Sequence, residues 1–467
     1  MNDSLILGVD PAKEKFTAAF FAADDSKPQA GRDFPMTRQG LDDLGQAIAG
    51  RLAADQRLVV GVEATAALDD NLLAWFAAQR QRWPLLLLQL DPGQVARFSG
   101  ARPVRGKTDK ADARRIAAFT AAHARHLDAF ERDAEAQSLT RLVHERGALA
   151  ADRAALKNRL RDRLVISFPE FTGVFDDPSM PMARAVLRKA PTAKRAAACR
   201  ATTLARVAPE GEGAHALGMA RAEKLRALGR GSIASATFDD DADAIVFMLD
   251  QIELIGRRVA AIDRALIACQ AGALAEEAAL AKAAASASAT NDSNANATST
   301  AVSIPRQIAR LAAMRGVGAV GAATIVLSAG GLARFTSAKA LAAQMGACPE
   351  RLQTGKTMDK GRLTHRGDRR ARSMLYMLAL TVTQFDPGLA FHKFMMRRRG
   401  HQPKQVLCAC MNRLARIMWA VATGPPAYDP RRVIENAQRH HAGPWKEFVD
   451  QTRHNRKLWK GHEEFIQ

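Results

Sequence analysis

At 467 residues the chain is too long for one compact domain, and with 47% hydrophobic residues it can bury two or more cores. The formal charge of +20 is unevenly placed: residues 304–467 hold 28 Lys and Arg against 10 Asp and Glu, while the first 303 residues hold 40 against 38. A basic field confined to one end points to a polyanion, and to nucleic acid before a membrane, since no stretch there reads as an amphipathic anchor. The start shows no basic segment leading into an apolar one, and no apolar run is expected to span a bilayer. The expected location is therefore the cytoplasm, at the nucleoid. Cys199, Cys269, Cys348, Cys408 and Cys410 are scattered and odd in number, which predicts reduced thiols rather than disulfides or a zinc site.

In chain order, Leu5 to Val9 form an apolar run suited to a central strand that ends on Asp10, and Phe16 to Phe21 form a second strand. A helix over "TRQGLDDLGQAIAGRLAA", a strand over "RLVVGVEAT", a helix over "ALDDNLLAWFAAQRQR", a strand over "PLLLLQL" and a helix over "KADARRIAAFTAAHARH" complete residues 1–128. This alternation predicts an α/β domain around a mixed sheet. Residues 129–282 form a helical region: 129–170 and 237–284 are Ala-, Leu- and Arg-rich with helical spacing, as in a coiled-coil arm, while the part between them, punctuated by Pro178, Pro181 and Pro191, predicts no definite element. Residues 283–303 read as a flexible linker. A mainly helical C-terminal domain follows over 304–425, and a basic tail over 426–467 in which Trp445 and Trp459 suit stacking on RNA. The C-terminal domain opens with two helices around Gly316-Val317-Gly318, either a helix-hairpin-helix that brings N–H groups to a phosphate or a plain tight turn.

An ionised carboxylate at the end of a buried strand needs a partner. Asp10 and Glu63 each end a strong β run, and Asp109 and Asp112, three apart, share a face at the start of a helix. Convergent carboxylates repel unless a cation joins them, and Mg²⁺ prefers such oxygen ligands while leaving positions for phosphate. Taken singly, each acid also has an ordinary reading as a helix cap, a solvated residue or half of an ion pair.

These motifs resemble the DEDD transposases of bacterial insertion sequences, whose better-studied members are bridge-RNA-guided recombinases. "LILGVDPAKEKF", "VVGVEAT" and "GKTDKADARRIA" are similar to that family's acidic motifs. "LAAMRGVGAVGAATIVLS", "ARFTSAKALAAQMGACPERLQTG", "GRLTHRGDRRARSMLYMLAL" and "FDPGLAFHKFMMRRRG" are similar, in order, to its transposase domain. The resemblance implies a RuvC-like, ribonuclease H-type N-terminal domain, a coiled-coil insertion and a transposase domain with a serine nucleophile. It also implies Mg²⁺ held by Asp10, Glu63, Asp109 and Asp112, a composite site between subunits of a homo-dimer or tetramer, a covalent protein–DNA link, and donor and target DNA chosen by a structured RNA.

Where the family places its serine, this chain reads "GACPERLQTGK", so Thr354 is the expected nucleophile; Thr357 and Ser373 are the other hydroxyls in reach of a shifted alignment. A threonine methyl crowds a phosphorus centre, so a catalytically impaired nucleic-acid-binding protein is the alternative. An actin-like ATPase or sugar kinase also opens on "LGVD", but its phosphate loop needs Gly and Ser or Thr where Pro11-Ala12-Lys13 stand. The expected phosphate contacts are Lys107, Arg315 with Gly316 and Gly318, then Lys356, Lys360, Arg362, Arg366, Arg369, Arg370 and Arg372, and a second cluster of Arg397, Arg398 and Arg399.

Overall fold

A computed structural model describes residues 4–21, 27–65, 68–99, 108–127, 129–131, 133–211, 213–234, 241–288, 302–354, 358–363, 367–424 and 430–465. They form two compact units, Met1–Gln137 and Ser138–Gln467.

The first unit is built on a five-stranded mixed sheet of order β3-β2-β1-β4-β5. β1 (Ser4–Pro11) pairs antiparallel with β2 (Lys15–Phe21), which pairs antiparallel with β3 (Arg32–Pro35). On its other side β1 runs parallel to β4 (Arg57–Glu63), and β4 parallel to β5 (Leu85–Leu90). α1 (Arg38–Ala49) joins β3 to β4, α2 (Asp70–Ala78) lies between β4 and β5, and α3 (Pro92–Ser99) and α4 (Asp109–His123) follow β5. Alternation along the central strands separates two cores. Leu5, Leu7 and Val9 pack with Leu58, Val60 and Val62 against Leu44 and Ile48 of α1 and Leu72 and Phe76 of α2. Ile6, Val59 and Leu88 pack on the opposite face with Ile116 and Phe119 of α4.

Two glycines decide how closely α4 approaches that face. Gly8 and Gly61 are register partners, and a Cβ on Gly8 would lie 2.2 Å from the Ala117 nitrogen, one on Gly61 2.0 Å from Thr120 Oγ1. Only a residue without a side chain lets the helix lie on the strands there. Thr108 caps α4, its hydroxyl accepting from the Ala111 N–H.

α5 (Ala134–Ser167), which belongs to the second unit from Ser138 onward, and α10 (Asp241–Ser288) are long helices. Ion pairs Arg146–Asp263 (2.5 Å), Arg258–Glu145 (2.6 Å) and Arg163–Asp241 (2.9 Å) give them an antiparallel register. The segment with no predicted element contains α6 (Pro181–Lys189), α7 (Ala193–Ala198), α8 (Ala201–Ala205) and α9 (Met219–Arg230), which close a core with Leu160 and Leu164 of α5 and Ile245, Leu249 and Ile252 of α10. α10 continues to Ser288, inside the stretch expected to be linker; residues 289–301 lie outside the described residues.

The C-terminal part opens with α11 (Ile304–Ala312), α12 (Gly318–Ser328) and α13 (Ala338–Gln344). A two-stranded hairpin follows, β6 (Pro349–Thr354) and β7 (Met358–Leu363), in a region expected to be helical. Then come α14 (Arg369–Val382), α15 (Pro387–Arg398) and α16 (Pro403–Thr423). Against the expectation that no apolar run is long enough, α16 is sufficiently long and apolar to cross a bilayer, and half of that stretch is buried within the unit, as in a core helix.

The basic tail is folded. It forms α17 (Arg431–His440), α18 (Ala442–Thr452) and α19 (Arg456–Trp459), packed on α15. Trp445 and Trp459, expected to stack on RNA, are instead 5% and 1% exposed, clustered with Phe391 and Phe448. Burying two indoles gave a short basic segment the apolar area it needed to fold, which outweighed their use as exposed platforms. The Trp459 indole N–H donates to the Thr452 carbonyl (3.0 Å). All five cysteines are free thiols; Cys410 is buried, which raises its pKa to about 11, and the other four are half-buried.

Candidate active site and nucleic-acid interface

The register of the first sheet lines up one row of side chains at the carboxyl ends of its parallel strands. Asp10 on β1 is opposite Thr17 on β2, and Thr17 is opposite Asp33 on β3. The β1–β4 register, whose last pair is Val9 with Val62, brings Glu63 next to Asp10. Side chains in a row share a face. Since Gly8 and Gly61, two residues earlier, face α4, Asp10 and Glu63 lie on the α4 side as well. α4 passes Gly8 with Ala117 and Ala113, so its preceding turn, with Asp109 and Asp112, lies toward the Asp10 end. The turn after Glu63 is fixed by the buried Asp69, which accepts from the Thr65 N–H (3.2 Å) and from Gln89 Nε2 (2.8 Å).

Asp109 and Asp112 are engaged with cations. Lys15 Nζ is 3.0 Å from Asp109 Oδ2 and 3.0 Å from Asp33 Oδ2, and Arg115 is paired with Asp112 one turn along α4. Hydrogen bonds to Asp33 first and Asp109 second raise the Lys15 pKa above its ordinary value. Asp33 also accepts from the buried Thr17 hydroxyl (2.8 Å); Lys15 first and Thr17 second hold its carboxyl below the usual carboxylate range. Asp33 is the acid that sequence reasoning missed. Only its two-strand separation from Asp10 through Thr17 reveals it, and that register is not encoded in any local pattern.

Among the described residues no three His, Cys, Asp or Glu side chains already surround a common point. The donor set at this strand end is nevertheless all carboxylate oxygen, the chemistry a hard divalent cation selects. Asp109, with a side chain 54% exposed, sits on the first turn of a helix, where it can exchange its ammonium partner for another cation.

In the second unit Thr354 is the last residue of β6, opposite Met358. Lys360 and Arg362 lie on β7, and Ser373 on α14; Lys107, Lys356, Thr357 and Arg366 lie outside the described residues. Arg369 and Arg370 are exposed on the first turn of α14, whose cap Asp368 accepts from the Ala371 N–H (2.6 Å). Arg372 is half-buried, and its Nη1 has no hydrogen-bond partner among the described residues. At the end of α15, Arg397 and Arg399 are exposed, while Arg398 is paired with Glu447 (2.8 Å).

The turn before α12 carries Arg315, Gly316 and Gly318, three of the expected phosphate contacts. Arg315 donates to the carbonyls of Lys460 (2.6 Å) and Lys457 (2.8 Å) and lies over the Phe385 ring, so its guanidinium fastens α19. Gly316 has φ +90°, its carbonyl accepts from Thr381 Oγ1 (3.0 Å), and a Cβ there would meet Phe385 at 3.0 Å. This glycine packs against the end of α14. Gly318, with φ +67°, faces open space.

Comparison with known proteins decides the lineage. A DEDD transposase profile of the IS110 type matches residues 7–169, and the transposase profile of the IS116/IS110/IS902 family matches residues 308–393; together they span more than half of the chain. The chain belongs to the IS110-type transposase family. This IS110-type chain is 29% identical over 130 residues to a probable family 20 transposase of Pseudomonas aeruginosa, covering 27% of the chain and 38% of that protein. Over 124 residues it is 32% identical to a pilin gene-inverting protein of Moraxella bovis (26% and 38%), and over 123 residues 32% identical to a putative transposase of Sinorhizobium fredii (26% and 32%). The chain thus spans less than two fifths of the length of these curated relatives. The kinase-like alternative is set aside by this membership. Both profile segments carry the motifs above: Asp10, Glu63, Asp109 and Asp112 fall in the first and Thr354 in the second.

Proposed function

We propose that this chain cuts and rejoins DNA strands, with Asp10, Glu63, Asp109 and Asp112 as its metal-holding acids and Thr354 as its nucleophile. The supporting observation is the adjacency of Asp10 and Glu63 at the ends of parallel strands, on the face covered by α4. Mg²⁺ held by these four carboxylates would supply charge stabilisation at phosphate oxygens. Lys15 and Thr17 keep Asp33 ionised, and Lys15 pairs with Asp109 at the same strand end. Thr354 Oγ1 forms the bond to phosphorus, and the displaced sugar oxygen leaves carrying the proton the threonine gives up, so the phosphodiester survives as a protein–DNA link. Arg369, Arg370, Arg397 and Arg399 hold phosphates on either side. A structured RNA selects donor and target, the working species is a homo-dimer or tetramer, and the site of action is the cytoplasmic nucleoid.

The test is an adduct assay with purified protein, its RNA, Mg²⁺ and DNA. Asp10→Asn is expected to reduce covalent adduct by at least about a thousandfold while RNA affinity stays within about twofold, because the change removes a metal ligand and no phosphate contact. Thr354→Ala is expected to abolish the adduct. Adduct that persists in Thr354→Ala transfers the role to Thr357 or Ser373. A wild type that forms none, and that Thr354→Ala matches in every respect, leaves the catalytically impaired nucleic-acid-binding protein.

A further inference from the structure

The solvent side of α16 borders a cavity of about 950 Å³, at the upper end of the range for small-ligand sites. None of the roles assigned above uses it. Among the described residues its lining carries three cationic side chains, Lys404, Arg413 and Arg416, and no carboxylate. The remaining groups are uncharged at neutral pH. His392 is half-buried; burial first, then Arg413 and Arg399, lower its pKa to about 4, so the neutral ring meets Arg413 across 3.3 Å. Burial also raises the Cys408 pKa, which keeps that wall a thiol. Trp419 has its indole N–H engaged with the Phe335 carbonyl (3.0 Å), which fixes the ring in the wall. Ala409, Ile417 and Ala420 make the rest largely apolar.

We propose that this cavity binds an unpaired nucleotide of a nucleic-acid strand. Such a ligand matches the lining in both its parts: an anionic phosphate for three cations whose described surroundings in the lining hold no carboxylate, and a planar heterocycle for an apolar slot edged by amides. Asn412 and Gln405 are the amides, side chains suited to hydrogen-bonding a base edge. Asn412 donates through its nitrogen to the Ala347 carbonyl (3.2 Å), which leaves its oxygen as the acceptor. That contact also ties the cavity to the base of the β6–β7 hairpin, since Ala347 precedes β6 by two residues and Leu363, the end of β7, borders the cavity. The nucleotide held here is therefore close in the chain to Thr354. The inference rests on the nucleic-acid half of the proposed function and needs no cleavage.

The experiment uses the full chain and fluorescence anisotropy with a labelled single-stranded oligonucleotide, one position of which is 2-aminopurine, beside a blunt duplex of the same sequence. Ala409→Trp fills the cavity from the half-buried side of α16. It is expected to weaken single-strand binding about tenfold or more, leave duplex binding within about twofold, and abolish the 2-aminopurine emission change. Arg416→Ala is expected to lower the single-strand salt slope by about 0.7. The proposal is overturned if Ala409→Trp, shown folded by circular dichroism, leaves single-strand binding and 2-aminopurine emission unchanged. It is equally overturned if both substrates weaken alike, or if light scattering shows that the variant changes only the oligomeric mass, which would make the cavity a seat for a second copy. Loss of adduct formation with intact base binding would instead sink the cleavage reading and spare this one.

Discussion

The sheet of the first unit and the helices of the second hold opposite charges by opposite means. Asp10 and Glu63 are fixed by the backbone, at the ends of strands whose register is locked on both sides by buried aliphatic rows. Arg369, Arg370, Arg397 and Arg399 are long exposed side chains on helix ends, which the proposed function sets against a phosphate backbone. Chemistry at one phosphorus atom demands position, whereas attraction to a polymer demands only reach.

Substitutions aimed at each region should separate these roles. The largest effect is expected from Trp459→Ala, which empties the aromatic core beneath the tail and should cost about 3–5 kcal/mol of the second unit's stability in denaturant melts. RNA affinity measured on the remaining folded protein should be unchanged; a selective loss of RNA binding with normal stability would restore the stacking role. Gly61→Val should follow at about 3 kcal/mol, because its side chain collides with Thr120 and Leu90 and lifts α4 from the strands. It should also erase adduct formation while sparing DNA binding; a variant as active as wild type would break the claim that backbone position matters.

Arg369→Ala with Arg370→Ala should leave unfolding unchanged and reduce the slope of log affinity against log salt by about 1.8 on duplex DNA. An unaltered slope would remove both from the interface. The smallest effect concerns His392. Its depressed pKa means the unfolded chain binds the extra proton first, so the stability it contributes is whole above the ordinary histidine value of 6.5 and is lost as pH falls from there toward about 4. Thermal melts across that window should drop for the wild type and flatten for His392→Gln; parallel curves would contradict the assignment.

How legible these regions were follows from their patterns. β1, β4 and β5 are continuous apolar runs, and their positions and the acids ending two of them can be read directly. β3 cannot: "RDFP" buries only Phe34, and its pairing depends on β2. Asp33 was hidden with it. β6 and β7, "PERLQT" and "MDKGRL", are mostly polar and carry no apolar alternation, so no strand signal marks them within a domain expected to be mainly helical. α6 to α9 are short and lean on α5 and α10 for their core, which local propensity does not record. The tail's charge outvoted its aromatics in the sequence; in the fold, Trp445 and Trp459 meet Phe391 from α15, a contact no local window contains.

Arg315 grips α19 through main-chain oxygens alone. Every amino acid offers the same carbonyl, so positions 457 and 460 can drift freely through evolution while the clasp endures, and a saturation library should tolerate most replacements there yet reject nearly all at 315. A strongly basic C-terminal segment can in this way rewrite its surface for new partners without unlatching from the body that carries it.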